Sequence, residues 1–270
     1  MAASRTQGGI VGAGPAGLLL AHLLAREGIS SIVLESRDQA YVEGRIRAGV
    51  LEQETADLLD RTGVGNRMRR DGLQHDGIEI RFAGKGHRID FPGLTGGKRI
   101  MVYGQHEVVR DLIAATTAAG VPLHFEVSDV AVEGLAEAPP SIRYRRAGDE
   151  HVIACDFIAG CDGFHGVCRA AIPASEVTIY ERTYPFAWLG ILAEAPPASA
   201  ELVYAHHERG FALLSMRSPT LSRLYLQCAP DEDLDNWPDE RIWEELQRRT
   251  ATTDGEFRVP EGPIARKGVT

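Results

Sequence analysis

The sequence predicts an α/β fold, α+β overall, in which a domain of alternating strands and helices receives an inserted antiparallel sheet. Three observations predict it. An apolar strand runs through glycines into an apolar helix and a second strand; an alternating hairpin near residues 78–91 then breaks that rhythm; and from Val177 to Cys228 the chain turns to short, turn-separated, β-rich runs. A chain of 270 residues can bury a substantial core, as one large domain or two small ones.

The first element is Gly9-Ile10-Val11-Gly12-Ala13-Gly14-Pro15-Ala16-Gly17, leading into a helix over Leu18 to Glu27 and the strand Ser31-Ile32-Val33-Leu34. Each glycine has its own physical task. Gly12 allows a tight turn, Gly14 lets backbone N–H groups approach a pyrophosphate, and Gly17 lets helix and strand pack closely, with the anion at the helix N-terminus. Glu35 ends the second strand, where a carboxylate accepts hydrogen bonds from ribose hydroxyls. Strand, turn, helix and second strand together make this a Rossmann-like dinucleotide site.

Next comes a loop with Arg45 and Arg47 at i and i+2, before a helix around Glu52 to Arg61. They are either solvated cations or phosphate contacts, since arginine pairs phosphate oxygens bidentately. Ile78–Phe82 and His87–Phe91 alternate apolar and polar residues around Ala83-Gly84-Lys85-Gly86, which predicts a hairpin. Lys98 to Tyr103 leads back into a helix over Glu107 to Ala119. Leu123 to Val132, Ser141 to Arg146 and His151 to Ala154 read as short strands, with Gly148-Asp149 at a turn and a loop around 136–140. Phe157 to Gly160 is a further apolar strand ending in Gly160-Cys161-Asp162-Gly163, which repeats the logic of the first motif: an Asp at a strand's carboxyl end, where ligands of open α/β sheets gather. The later strands are Tyr184 to Leu192, Glu201 to Ala205, Gly210 to Met216 and Ser222 to Cys228; a helix over Asp239 to Thr250 follows, and Pro260 to Thr270 reads as irregular.

A net charge of -9 argues against nucleic acid as a partner, because that affinity comes from neutralising phosphates with Lys and Arg. Leu18 to Leu24 lacks the basic flank and cleavage pattern of a signal peptide, and no segment reads as membrane-spanning. Cys155, Cys161, Cys168 and Cys228 show neither metal-site nor disulfide-framework spacing, so the expectation is reduced thiols, a cytoplasmic protein and no metal. A homodimer is one assembly the sequence leaves open.

The glycine motif with Glu35, the run from Gly44 to Gln53, Tyr103-Gly104-Gln105 and the run from Ala159 to Gly166 together resemble the 4-hydroxybenzoate 3-monooxygenase family of FAD-dependent aromatic hydroxylases. The similarity runs from about Gly8 to about Gly262 and takes in Tyr184–Gly190 and Arg209–Leu213. The resemblance implies a FAD-binding domain at 1–73 and 100–180 and a substrate-binding domain at 74–99 and 181–270. It also implies the activity: FAD reduced by NAD(P)H reacts with O2 to a C4a-hydroperoxide and converts 4-hydroxybenzoate to 3,4-dihydroxybenzoate. Gly12, Gly14, Ala16, Gly17, Glu35, Arg45, Arg47, Gln105 and Asp162 match FAD positions, and Phe164 and His165 match positions for the nicotinamide cofactor. Ser215 and Arg217, at i and i+2, match the carboxylate-binding pair; Tyr225 is the third member and Met216 lies between them. Tyr204 matches the tyrosine that hydrogen-bonds the phenolic oxygen, His75 the group that passes its proton toward solvent, and Arg223 an arginine placing positive charge near flavin and substrate.

Two departures stand out. Ser36-Arg37 replaces the Arg-Gln of NADPH-preferring members, which leaves NADH and NADPH both open. The family's later Gly-Asp strand motif, substrate loop and C-terminal helices have no counterpart in this sequence, so the expected chain lacks part of both sites, exposes apolar surface and is weakly active or inactive alone. Two other functions remain in play: a non-catalytic FAD- or nucleotide-binding fragment, and a related FAD hydroxylase for another phenolic acid.

Overall fold

The computed structural model describes residues 2–135 and 139–270, so residues 136–138 of the expected loop at 136–140 lie outside the described residues. In chain order the first half comprises β1 (Ala2–Val11), α1 (Pro15–Arg26), β2 (Ser31–Leu34), α2 (Gln39–Gly44), β3 (Val50–Glu52), α3 (Gln53–Arg61), α4 (Asn66–Asp71), β4 (Leu73–His75), β5 (Gly77–Phe82), β6 (Lys85–Asp90), α5 (Phe91–Thr95), β7 (Ile100–Val102) and α6 (Gln105–Ala118). The second half comprises β8 (Leu123–His124), β9 (Ser128–Glu133), β10 (Ser141–Arg146), β11 (Asp149–Gly160), α7 (Cys168–Ala171), β12 (Ala187–Ala193), β13 (Leu202–Ala205), β14 (Ala212–Ser218), β15 (Leu221–Cys228), α8 (Asp239–Thr250) and β16 (Ile264–Val269).

The chain divides into two compact units. The first takes residues 1–48, 58–70 and 104–180; the second takes 49–57, 71–103 and 181–270.

The first unit is built on a six-stranded sheet in the order β8-β2-β1-β11-β10-β9. β8, β2, β1 and β11 run parallel, whereas β10 and β9 are antiparallel additions. Its core gathers Val11, Leu34, Ile142, Tyr144, Ile153 and Cys155. α1 starts at Pro15, three residues before the expected Leu18, because proline at the first helical position brings a preset φ and lacks only an N–H that has no helical partner there. The expected strands at His151–Ala154 and Phe157–Gly160 are one 12-residue strand, β11, held continuous by parallel pairing with β1 from Ala2↔His151 to Val11↔Gly160.

The second unit holds a seven-stranded sheet, β16-β12-β15-β14-β13-β5-β6, and a three-stranded sheet, β3-β7-β4. The seven-stranded sheet is antiparallel except for β13 against β5. The β5–β6 turn is tighter than expected: Ala83 and Gly84 alone form it, both at positive φ (50° and 70°), the pairing that suits a two-residue hairpin. α8 has the limits that its spacing predicts. Pro260 to Thr270, read as irregular, instead contains β16, paired antiparallel to β12. Ile264-Ala265-Arg266-Lys267-Gly268-Val269 has no alternating pattern, and tertiary pairing at a sheet edge supplies the strand that local preference does not.

Among the described residues no helix is long and apolar enough to cross a membrane, and no cluster of His, Cys, Asp and Glu is arranged to hold a metal ion.

Candidate active site

In the first unit Gly12, Gly14, Ala16, Gly17, Glu35 and Asp162 lie at or just beyond the carboxyl ends of β1, β2 and β11, while Arg45, Arg47 and Gln105 stand on other segments. Gly12 has φ +105°, and a Cβ there would sit 2.3 Å from the Cys161 carbonyl oxygen at the end of β11. A Cβ on Gly17 would stand 2.0 Å from the Gly12 carbonyl oxygen. The fold itself therefore requires both glycines. Gly14 differs: a Cβ there would meet no protein atom within 4 Å, and Gly14 caps α1 with no side-chain hydrogen bond to the helix N-terminus. The space beside Gly14 at the start of α1 is thus open, and Ala16 next to it is exposed.

Glu35 braces this loop. One carboxylate oxygen accepts from the Ala13 N–H at 2.9 Å; the other accepts from the Arg37 N–H at 2.9 Å and from Ser36 Oγ at 3.2 Å. A carboxylate has about four acceptor sites, so capacity remains for a ribose hydroxyl. Arg37 and Arg45 both stack on the Tyr41 ring, at 5.3 and 5.6 Å. Arg47 is exposed, and Gln105 opens α6, its N–H bonded to the Ala48 carbonyl at 3.0 Å.

Asp162 folds back on its own loop and accepts from the Cys168 N–H at 2.9 Å. Phe164 is exposed, edge-on to His165 at 4.9 Å, and the Arg169 guanidinium lies 4.9 Å over the Phe164 ring. Burial pushes the neighbouring Cys168 thiol up to about 12, with the Asp162 hydrogen bond adding to it, so this cysteine is no nucleophile at neutral pH.

In the second unit the pleat sorts the candidates. Leu189, Ile191, Val203, Leu214, Leu224 and Leu226 point to one face of the seven-stranded sheet and pack with Ile242, Trp243 and Leu246 of α8. The opposite face carries the register set Tyr204↔Leu213↔Tyr225↔Gly190 and, one pleat along, Ser215↔Arg223. Tyr204, Tyr225, Ser215 and Arg223 therefore share a face. A register shift between Met216 and Ser218 interrupts strict alternation at Arg217, so its position does not follow from i, i+2 spacing. Arg217 nonetheless lies within electrostatic reach of Tyr225 and Arg223. Its Nη1 donates to the carbonyl of the buried Met216 at 3.1 Å.

Burial lowers the Arg217 guanidinium from its ordinary value and Arg223 lowers it further, while Tyr225 opposes both. The group stays cationic at neutral pH. Arg223 stacks on Tyr225 at 4.9 Å and leaves its own Nε buried without a hydrogen-bond partner. Gly190 makes this possible, since a Cβ there would come within 2.8 Å of Arg223 Nη2. A glycine inside a strand signals such close approach. Burial raises the Tyr204 phenol. His75 is 2% exposed, and neither ring nitrogen has a hydrogen-bond partner; burial lowers its pKa, against the opposing pull of Glu201 and Asp76.

Comparisons with known proteins give this chain a family. Residues 5–267 match the FAD binding domain family, and the chain belongs to it; FAD is the cofactor this membership carries. The chain is 45% identical over 269 residues to the p-hydroxybenzoate hydroxylase of Acinetobacter baylyi, covering 100% of this chain and 66% of that protein. It is 30% identical over 184 residues to the 6-methylpretetramide 4-monooxygenase of Streptomyces rimosus, covering 64% of this chain and 42% of that one. The chain thus spans less than two thirds of these curated relatives. In fold it resembles PqsL of Pseudomonas aeruginosa, solved with 2-aminobenzoylacetate (TM-score 0.83, 18% identity, 99% of this chain and 73% of that one). It also resembles the p-nitrophenol 4-monooxygenase PnpA of Pseudomonas putida (TM-score 0.80, 17% identity, 100% and 68%).

Proposed function

We propose that this chain carries the flavin- and substrate-binding machinery of an FAD-dependent hydroxylase converting 4-hydroxybenzoate to 3,4-dihydroxybenzoate with NAD(P)H and O2. One observation carries the reading: the sheet face opposite the core holds Tyr204, Ser215, Arg223 and Tyr225, with Arg217 in electrostatic reach of the last two, a set that packing does not require. Its chemistry fits a phenolic acid. The Arg217 guanidinium and the Ser215 and Tyr225 hydroxyls bind the carboxylate through charge-assisted hydrogen bonds. The Tyr204 hydroxyl receives the substrate's phenolic proton while handing its own toward His75, which burial keeps neutral and able to accept it. Loss of that proton makes the ring electron-rich at the carbon ortho to the oxygen. Arg223 adds positive charge that favours the phenolate.

FAD, reduced by NAD(P)H, supplies the activated oxygen. The N-terminus of α1 with Gly14 and Ala16 holds its pyrophosphate, Glu35 its ribose, and Arg45, Arg47, Gln105 and Asp162 the remainder. Phe164 and His165, with Arg169 stacked beside them, take the nicotinamide cofactor. The cytoplasm suits four thiols that are all free.

The test is the visible spectrum of the purified chain with FAD, then with 4-hydroxybenzoate, followed by NADH and NADPH consumption and chromatography of the product. Perturbed flavin bands and 3,4-dihydroxybenzoate support the reading. Bound flavin without substrate-dependent oxidation leaves a binding module only.

A further inference from the structure

Two runs of the sequence, Tyr184–Gly190 and Arg209–Leu213, have Gly190 as their sole residue with a part in the reading above, and the structure brings them together. Phe211, just before β14, stands edge-on to Trp188 at 5.3 Å and tilted against Tyr204 at 6.2 Å. Trp188 continues edge-on to Phe186 at 5.8 Å. The ring beside the Tyr204 phenol is therefore part of an aromatic row rather than a lone contact.

The segment bearing Phe211 is tied down by α8. Glu245, only 3% exposed, accepts from Arg209 Nε at 3.0 Å and from Arg249 Nε at 2.9 Å, and Arg209 Nη2 donates to the same carboxylate. Arg249 Nη1 passes on to the carbonyl oxygens of Gln227, at 2.8 Å, and Phe211, at 3.4 Å. Gln227 closes the circuit: its Oε1 accepts from the Phe211 N–H and its N–H donates to the Phe211 carbonyl, both at 2.9 Å. Burial would raise the Glu245 carboxyl, but the two guanidiniums outweigh it and hold the group below its ordinary range. Replacing a buried ion pair such as Glu245–Arg249 by apolar groups of the same size is often neutral for stability, so what this arrangement, with the half-exposed Arg209, supplies here is geometry.

We propose that Glu245 is a positioning residue for Tyr204: through Arg209 and Arg249 it fixes residues 206–211, so that the Phe211 ring, backed by Trp188, sets the orientation and dryness of the Tyr204 hydroxyl. This rests on the reading of Tyr204 as the partner of the substrate phenol.

The experiment uses the full chain labelled with 13Cζ-tyrosine, the Tyr204 resonance being identified with Tyr204→Phe. Phe211→Leu and Glu245→Gln are titrated beside the unsubstituted chain, each with its thermal transition recorded. Both are expected to unfold cooperatively and to move the Tyr204 titration back toward the ordinary tyrosine value, and 4-hydroxybenzoate binding is expected to weaken about tenfold in each. An unmoved Tyr204 titration in a folded Glu245→Gln chain, or in Phe211→Leu, overturns the proposal. Should Glu245→Gln fail to fold, Arg209→Gln, at a half-exposed position, replaces it under the same criterion. Absence of 4-hydroxybenzoate binding in the unsubstituted chain would overturn the functional reading instead, and the free-chain titration would still decide the role of Glu245.

Discussion

The two faces of the seven-stranded sheet come from the same strands and obey different rules. Under α8 the core positions of β12 to β15 are aliphatic or small, with Leu189, Ile191 and Leu226 fully buried, while β5 turns the buried Arg81 to the same side, where it donates to the Thr250 carbonyl at 2.8 Å. Across the pleat stand Tyr204, Ser215, Arg223 and Tyr225, with a glycine in mid-strand making room for a guanidinium. Packing accounts for most of the first face, whereas the second adds to its aromatic row of Trp188, Phe211 and Tyr204 a polar set that packing does not require. Residues that burial does not require, yet which leave buried polar atoms such as Arg223 Nε unsatisfied, point to a ligand.

The largest effect should come from the packed face. Leu226→Ala is expected to lower unfolding free energy by about 3 kcal/mol, read by urea denaturation, through lost transfer energy and the cavity left behind. A change well under 1 kcal/mol would mean that this face is not the core. Arg217→Met is expected to do the reverse: stability stays within about 1 kcal/mol, because a desolvated cation contributes little to folding, while 4-hydroxybenzoate binding falls about 100-fold. Loss of stability with binding intact would erase the distinction between the faces.

The same contrast recurs in miniature in the glycine loop of the first unit. Gly17→Ala is expected to cost about 2 kcal/mol or more, since its Cβ collides with the Gly12 carbonyl 2.0 Å away. Gly14→Ala meets no protein atom, so the apoprotein should be as stable as before while FAD binds about tenfold more weakly. Undiminished FAD binding by Gly14→Ala would show that the open space beside this residue is not where the pyrophosphate lies.

How far the sequence reveals this organisation follows the range of the interactions. β1, α1 and β2 are legible because periodicity, glycine spacing and a helix-starting proline are local. α8 is legible for the same reason. β16 is not: Ile264 to Val269 lacks alternation, and only β12 beside it, with Lys267 Nζ donating to the Trp237 carbonyl at 2.8 Å, makes it a strand. Among the candidate residues, Ser215, Arg223 and Tyr225 can be assigned to a strand face from the sequence, whereas Arg217 cannot, because the register shift beside it is a tertiary feature. Glu245 was missed for a related reason. At i, i+4 from Arg249 it has the spacing of an exposed helix pair, and only the fold buries it.

The smallest effect, and the finest test of the polar side of the second unit, concerns His75. Burial lowers its pKa below the ordinary 6.5, and Glu201 and Asp76 offset this only in part. In the unfolded chain the imidazole takes up a proton near pH 6.5; in the native chain it does so only at lower pH. Between those values the unfolded state binds more protons, so stability falls as pH falls, and the contribution is fully present above about pH 6.5. His75→Gln removes the titration, and its unfolding free energy, measured in urea between pH 7.5 and 5.5, should decline less steeply than that of the unsubstituted chain, by at most about 1.4 kcal/mol per pH unit. Equal slopes would mean that native His75 protonates as readily as the unfolded residue, and would remove the neutral proton acceptor from the relay proposed for Tyr204.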